Sequence, residues 1–540
     1  MRRAITSSSP VPAPPAPAPR PDPARGAALA VQPGAVPHAG STRPTGPASR
    51  LGPVLAVQPA AVPPADPSRG PALAVQPAPA SRPGPVQGPA LAAEVGDGVG
   101  AYPDPVQGRG PGSARSEGHA AQASRHARNA PWPYTRLDVA AARAAGHPPH
   151  PIRQFVLKTR SRCNLACTYC YVYEMADQGW RDQPVAMTPA TAARAAHRIA
   201  EHAAAHDLPR VDLVLHGGEP LLTAPAALAA PVEAVRAALA ATSPRTRVTA
   251  TVQTNGTLIT RGRLTALAAA GIRVGVSLDG GLPAHNTRRV DHAGHPGFGA
   301  AARGLRLLAR HPDSYAGVLC VVDLDQDPVE TYESLLAFAP PTIGLLLPLA
   351  NWSSPPPPGP GRRPGRTPYA DWLLAVFERW WHDGARRTRI RLFEEIIALL
   401  LGLPATTETL GLAPAATAVI ETDGSIEQAD SLKSAYEGAA ATGMALDTHS
   451  FDQLLDHPGF AARQLGRDAL ADGCRACELV EVCGGGHYPH RYRAGEGFRR
   501  PSVYCADLQV LIRHIATAVQ HAAAGGRRRT TPAHPPAAAS

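Results

Sequence analysis

The chain has 540 residues, including 60 Pro and 50 Gly; 18% of residues are charged and 5% are aromatic. Half of the prolines fall in residues 1–150, and Tyr102 is the one aromatic among the first 130 residues. Such a segment cannot bury enough apolar surface to offset its ordering entropy. The net charge of +10 comes from the two ends, while residues 151–520 carry 36 basic and 36 acidic side chains. A basic domain gripping nucleic acid is therefore not expected.

Residues 1–148 are expected to be a disordered Pro/Ala-rich extension. Its motif Leu-Ala-Val-Gln-Pro recurs at 29–33, 55–59 and 73–77 at irregular spacing, which marks low complexity rather than a solenoid. Arg2 and Arg3 are followed by Ser and Pro where a signal peptide needs an apolar run. No stretch approaches the ~18 apolar residues of a membrane span. A cytoplasmic protein with no membrane partner is expected. Eight cysteines in such a chain point to metal or redox chemistry rather than disulfides.

From 149 to 350 the pattern alternates. Apolar runs at 155–157, 211–215, 248–252, 274–278, 317–322 and 343–347 read as buried strands. Helices are predicted between most of them, the first capped by Thr188 with Pro189 at its first position. Six such units predict a parallel sheet in an open barrel. Residues 351–368 read as a Pro-rich linker and 369–410 as a helical bridge. Residues 411–520 hold a hairpin turning at Asp423-Gly424 and a Cys/Gly-rich end, and 521–540 read as a disordered basic tail.

Cys163, Cys167 and Cys170 follow the first strand as C-x3-C-x2-C. Three thiolates at this spacing can hold three irons of a [4Fe–4S] cluster and leave the fourth open to a ligand. A zinc knuckle short of one ligand, or packed thiols, are the other readings. His216-Gly217-Gly218-Glu219-Pro220 ends the second strand, Gln253-Thr254-Asn255-Gly256 the third and Ser277-Leu278-Asp279-Gly280 the fourth, with Arg289 beyond. Further on, Cys474, Cys477, Cys483 and Cys505 suffice to saturate a second [4Fe–4S] cluster. Zinc on Cys477, Cys483 and His487 is the competing reading. Cys320, inside an apolar strand, reads as core.

In these motifs the chain resembles the radical SAM superfamily. The resemblance implies a partial (β/α)6 barrel, a [4Fe–4S] cluster on the first three cysteines, and bound S-adenosylmethionine cleaved to a 5′-deoxyadenosyl radical. It places Tyr169, Gly217, Gly218, Glu219, Asn255, Ser277 and Arg289 around that cofactor. The last segment resembles the SPASM iron–sulfur extension, with Cys474, Cys477, Cys483 and Cys505 matching the outer auxiliary cluster. Most cysteines for an inner one are absent, with His487 at one ligand position and Asp430 near another, so two clusters are expected.

Four stretches, 170–180 (CYVYEMADQGW), 421–433 (ETDGSIEQADSLK), 488–493 (YPHRYR) and 501–508 (PSVYCADL), resemble the FxsB-type maturases. That group joins an aromatic ring carbon to a nearby Cβ in a small ribosomal precursor peptide ending Phe-x-Ser-x-x. The implied partners are that peptide and a reductant such as flavodoxin or ferredoxin. Rearomatisation releases a proton, for which Asp430 and His487 are candidate acceptors by position, and an electron, which the second cluster is placed to take. The alternatives are thioether formation, anaerobic sulfatase maturation, a degenerate peptide binder, and a zinc-stabilised binding protein.

Overall fold

The computed structural model describes residues 114–357 and 365–529. The Leu-Ala-Val-Gln-Pro repeats and the end of the tail lie outside them. Ten strands form one sheet: β1 (Gln154–Arg160), β2 (Arg210–Gly217), β3 (Arg247–Thr254), β4 (Ile272–Ser277), β5 (Tyr315–Val321), β6 (Thr342–Leu346), β7 (Arg389–Ile390), β8 (Thr417–Ile420), β9 (Ser425–Glu427) and β10 (Ala441–Ala445). Their order is β10-β9-β8-β1-β2-β3-β4-β5-β6-β7. Every pair from β8 to β7 is parallel; β9 and β10 run antiparallel. All six predicted strands are present.

The early helices are α1 (Ala114–Asn129), α2 (Pro131–Tyr134) and α3 (Val139–Ala144). The crossovers are α4 (Pro189–Ala205), α5 (Pro225–Thr242), α6 (Arg261–Ala269), α7 (Phe298–Leu308) and α8 (Pro328–Leu336). The Thr188 side chain accepts from the Thr191 N–H at 3.1 Å, as the cap signal predicts. Alternate residues of β2, Val211, Leu213 and Leu215, are buried beneath these helices. The other face turns Asp212, Val214 and His216 inward. After the sheet come α9 (Pro368–Trp381), α10 (Arg391–Leu400), α11 (Phe451–Leu455), α12 (Pro458–Ala462), α13 (Asp472–Arg475), α14 (Val480–Cys483) and α15 (Cys505–Arg529).

Four boundaries differ from the sequence reading. The extension expected to be disordered to residue 148 is helical from Ala114, and α15 carries helix to Arg529 inside the expected tail. Ala130 and Trp132 are buried with Leu432, Tyr436, Tyr488 and Phe498 in a second apolar cluster. The His126 ring nitrogen Nδ1 is 2.9 Å from the Tyr436 hydroxyl, and Arg143 donates to the Leu455 carbonyl at 2.7 Å. These few large side chains supply the burial that the Ala/Pro-rich sequence before them lacks.

The linker at 351–368 is anchored at its start. Asn351 Nδ2 donates to the Ser434 carbonyl at 3.2 Å, and the Trp352 indole to that of Pro501 at 2.8 Å. Residues 358–364 lie outside the described residues. Finally, the hairpin β8–β9, read as part of the 411–520 segment, joins the barrel sheet. β8 pairs with β1, Leu157 opposite Ile420, and extends the barrel sheet.

Candidate functional site

A cavity of about 750 Å³ lies at the C-terminal ends of the strands. Cys163, Cys167 and Cys170 line it, as do Tyr169, Gly217, Gly218, Asn255, Ser277 and Arg289. The parallel sheet explains the convergence, because loops after successive parallel strands emerge on one side.

Neighbouring backbone holds the cysteine loop. The Leu165 N–H donates to Cys163 Sγ at 3.4 Å, and Asn255 Nδ2 reaches that sulfur at 3.8 Å. Asn255 also donates to Asn164 Oδ1 at 2.9 Å, so the end of β3 grips the loop after β1. At Gly218 a Cβ would collide with the Tyr173 hydroxyl and the Arg162 backbone, so any larger residue would push the loop off the strand.

Burial pushes the Cys163 thiol up to about 12 and raises those of Cys167 and Cys170. Thiolates here need a cation to offset desolvation, as iron does. The three lie within electrostatic reach of one another. Three thiolates can each bind one iron of a [4Fe–4S] cluster and leave the fourth iron open, so the donor set fits such a cluster.

Arg289 is buried, donates to the Tyr169 hydroxyl at 2.6 Å and stands 3.8 Å from Asp279 Oδ2. Tyr169 in turn donates to Asp279. Ser277 Oγ accepts from Gln253 Nε2 at 2.9 Å. Glu219, expected beside the cofactor, has its carboxylate engaged by the protein. It does not line the cavity. Its carboxylate accepts from Leu221 N–H at 2.8 Å, Thr254 Oγ1 at 2.6 Å and Asn255 N–H at 2.7 Å. It ties the ends of β2 and β3 together.

The two suggested proton acceptors part company. His487 lines the cavity, with Nε2 3.3 Å from Ser431 Oγ. Asp430 does not line it and lies behind His216, which does. Asp430 Oδ2 is 2.6 Å from Lys158 Nζ and 3.8 Å from His216 Nδ1. Lys158 and His216 are register partners on β1 and β2, which sets their side chains on one face. Burial opposes ionisation of Asp430, but Lys158, Lys433 and His216 overcome it and hold its pKa below the ordinary carboxylate value. Burial, with Lys158 beside it, pushes His216 down to about 4. A neutral imidazole therefore stands between an ionised carboxylate and the cavity.

Lys433 completes this layer, 2.8 Å from both Glu421 and Glu427. Sequence reasoning missed Lys158, Lys433 and the role of His216. The alternating inward face of β1 and β2 is the signal that would have found the first and third.

The second set, Cys474, Cys477, Cys483 and Cys505, lies in the C-terminal region. Cys474 lies in α13, Cys483 ends α14 and Cys505 begins α15. Cys474 and Cys483 each feel Cys505 electrostatically. Buried Arg491 donates to the carbonyls of Gly484 and Gly486, both at 2.6 Å, and folds the glycine turn beside the sulfurs. Gln509 Nε2 donates to Cys505 Sγ at 3.4 Å.

Residues 157–335 match the model of the Radical SAM superfamily. The serine-type anaerobic sulfatase-maturating enzyme of Bacteroides thetaiotaomicron is 22% identical over 402 residues, covering 68% of this chain and 90% of that protein. The cysteine-type enzyme of Clostridium perfringens (strain 13 / Type A) is 24% identical over 290 residues, covering 52% and 74%. The solved structure of native anSMEcpe with bound AdoMet is 20% identical with a TM-score of 0.57, covering 69% of this chain and 99% of that one. The superfamily uses a [4Fe–4S] cluster and S-adenosylmethionine. The segment that carries the cysteine triad at the mouth of the parallel barrel thus matches the radical SAM superfamily, and the chain as a whole is similar to the anaerobic sulfatase-maturating enzymes.

Proposed function

We propose that the protein is a peptide maturase that joins an aromatic ring to a Cβ of a small ribosomal precursor peptide. The cavity above the cysteine triad carries the reading: about 750 Å³ is at the upper part of the range for small-ligand pockets and has room for a peptide segment beside the cofactor. Resemblance of the four stretches to FxsB-type maturases supports the ring-to-Cβ bond.

Cys163, Cys167 and Cys170 would hold the first cluster, and Cys474, Cys477, Cys483 and Cys505 a second. Tyr169, Gly217, Gly218, Asn255, Ser277 and Arg289 would surround S-adenosylmethionine. When bound, these groups supply the hydrogen-abstracting radical chemistry of the superfamily. The chain's own residues position the peptide, exclude water and take up the proton released when the ring regains aromaticity. His216, which lines the cavity with Asp430 Oδ2 3.8 Å from its Nδ1, is the proposed acceptor, and His487 flanks the same space. A cytoplasmic setting with a flavodoxin- or ferredoxin-type reductant completes the proposal. Among the described residues no helix is long and apolar enough to cross a membrane.

The test is anaerobic incubation of the reconstituted protein with S-adenosylmethionine, dithionite and short synthetic peptides ending Phe-x-Ser-x-x. A product two hydrogens lighter, with a fragment-resistant ring between the linked residues, is expected. Unchanged peptide alongside processing of a sulfatase substrate would favour the second reading, sulfatase maturation, which the names of the curated relatives support.

A further inference from the structure

Three arginines line the cavity: Arg288, Arg289 and Arg391. Arg288 is paired with Asp323 and Asp325, each at 3.3 Å. Arg289 is held by Tyr169 and Asp279. Arg391 has no hydrogen bond or ion pair among the described residues. Its one charged neighbour, Glu395, is committed elsewhere, accepting from the Thr406 N–H at 2.6 Å and from the Thr407 N–H at 3.2 Å.

Arg391 is the first residue of α10, directly after β7. Its guanidinium lies across Gly344 of β6, where a Cβ would stand 2.5 Å from Nη2 and 3.1 Å from Nε. Any larger residue at 344 would displace it. The side chain is exposed and open to the cavity. The nearby wall is apolar, with Leu345 and Leu392. A guanidinium held this way presents a planar fork of donors to whatever enters, and a carboxylate matches it bidentately.

We propose that Arg391 anchors a carboxylate of the peptide substrate, either its C-terminus or an Asp or Glu side chain. The inference rests on the peptide-maturase reading above and adds the charge that the substrate must carry. Arg289, at the motif end of the cavity beside Tyr169, is the separate cation suited to S-adenosylmethionine.

The probe is a synthetic library of short peptides made twice, as C-terminal acids and as C-terminal amides, each with and without Asp and Glu. It is passed over the full-length, anaerobically reconstituted protein with S-adenosylmethionine. The wild-type protein should retain carboxylate-bearing members about tenfold over matched neutral ones. Preference for acids over amides identifies the C-terminus; preference following Asp and Glu content identifies a side chain. Arg391→Gln should abolish the preference, and Arg391→Lys, which keeps the charge without the fork, should keep part of it.

Equal retention of charged and neutral peptides by the wild-type protein overturns the anchor and leaves the maturase reading standing. Retention of no peptide at all sinks both. An Arg391→Gln protein that loses S-adenosylmethionine while keeping the wild-type peptide preference would assign the guanidinium to the cofactor and also overturn the proposal.

Discussion

Lys158 Nζ lies 2.6 Å from Asp430 Oδ2, an ion pair that joins the first barrel strand to the segment just after the hairpin. Lys158 is 2% exposed, so losing either partner strips a buried charge of its ion pair, with Lys433 left as the remaining cation near Asp430. Replacing Lys158 with Met should cost about 3–5 kcal/mol of stability. Lys158→Met combined with Asp430→Asn should recover most of that. Denaturant unfolding of the single and double variants measures it, and additive losses would show that the two side chains do not act as a pair.

Asp430→Asn alone tests the proton-acceptor assignment. The amide keeps the volume and loses the charge beside His216. Formation of 5′-deoxyadenosine should persist, while cross-linked peptide should fall about 10²- to 10⁴-fold. An equal fall in both products would place Asp430 in cofactor binding instead.

Iron content separates the two cysteine sets. The reconstituted wild-type protein should hold about eight irons with matching sulfide, as two [4Fe–4S] clusters require. Cys505→Ala should lose about half of the iron and still make 5′-deoxyadenosine. Replacing Cys163, Cys167 and Cys170 together with Ala should abolish 5′-deoxyadenosine and leave the second half. Zinc in place of iron would overturn the cluster assignment at both sites.

The helices before the barrel give a prediction about truncation. Removing residues 1–113 should leave stability unchanged. Removing 1–148 strips Trp132 from its cluster with Tyr488 and Phe498. Trp132→Ala alone should cost about 3–5 kcal/mol. Thermal unfolding of the two truncations and the point variant distinguishes a packed element from a passive tail.

The same region should loosen in acid. Burial, with Arg125 adding to it, pushes His126 down to about 4. Below its ordinary pKa near 6.5 the detached segment binds a proton that the docked one refuses. Docking is therefore strongest above pH 6.5 and weakens as pH falls toward 4; at pH 5.5 the loss is about 1.4 kcal/mol. Hydrogen exchange over 122–144, corrected for intrinsic rates, should rise at pH 5.5. His126→Gln should reduce the dependence, leaving the part due to His457, which packs on Tyr134 and which burial pushes down to about 3, and unchanged exchange in the wild-type protein would refute it.

Much of the site was legible because a parallel α/β sheet obliges the loops after successive strands to converge. Cys163, Asn255, Ser277 and Arg289 could thus be grouped without coordinates. Glu219 could not be resolved the same way. Its place in a motif reveals a carboxylate at a strand end, but not that Leu221, Thr254 and Asn255 occupy its oxygens. Asp423-Gly424 marked a hairpin, while its docking on β1 depends on pairing across more than 250 residues of chain and leaves no local trace. Trp132 and Tyr134 were the cue for the early helices, masked by the Pro- and Ala-rich sequence leading to them.

The pairing of β8 with β1 makes the cysteine-rich C-terminal region hard to treat as a portable module. A chain cut before residue 417 would expose the outer backbone groups of β1 along Gln154–Leu157, the strand leading into the first cysteine loop. A bare sheet edge of that kind recruits other chains. Engineering that swaps the iron–sulfur extension between relatives should therefore carry the hairpin with it, or supply another strand to cover β1.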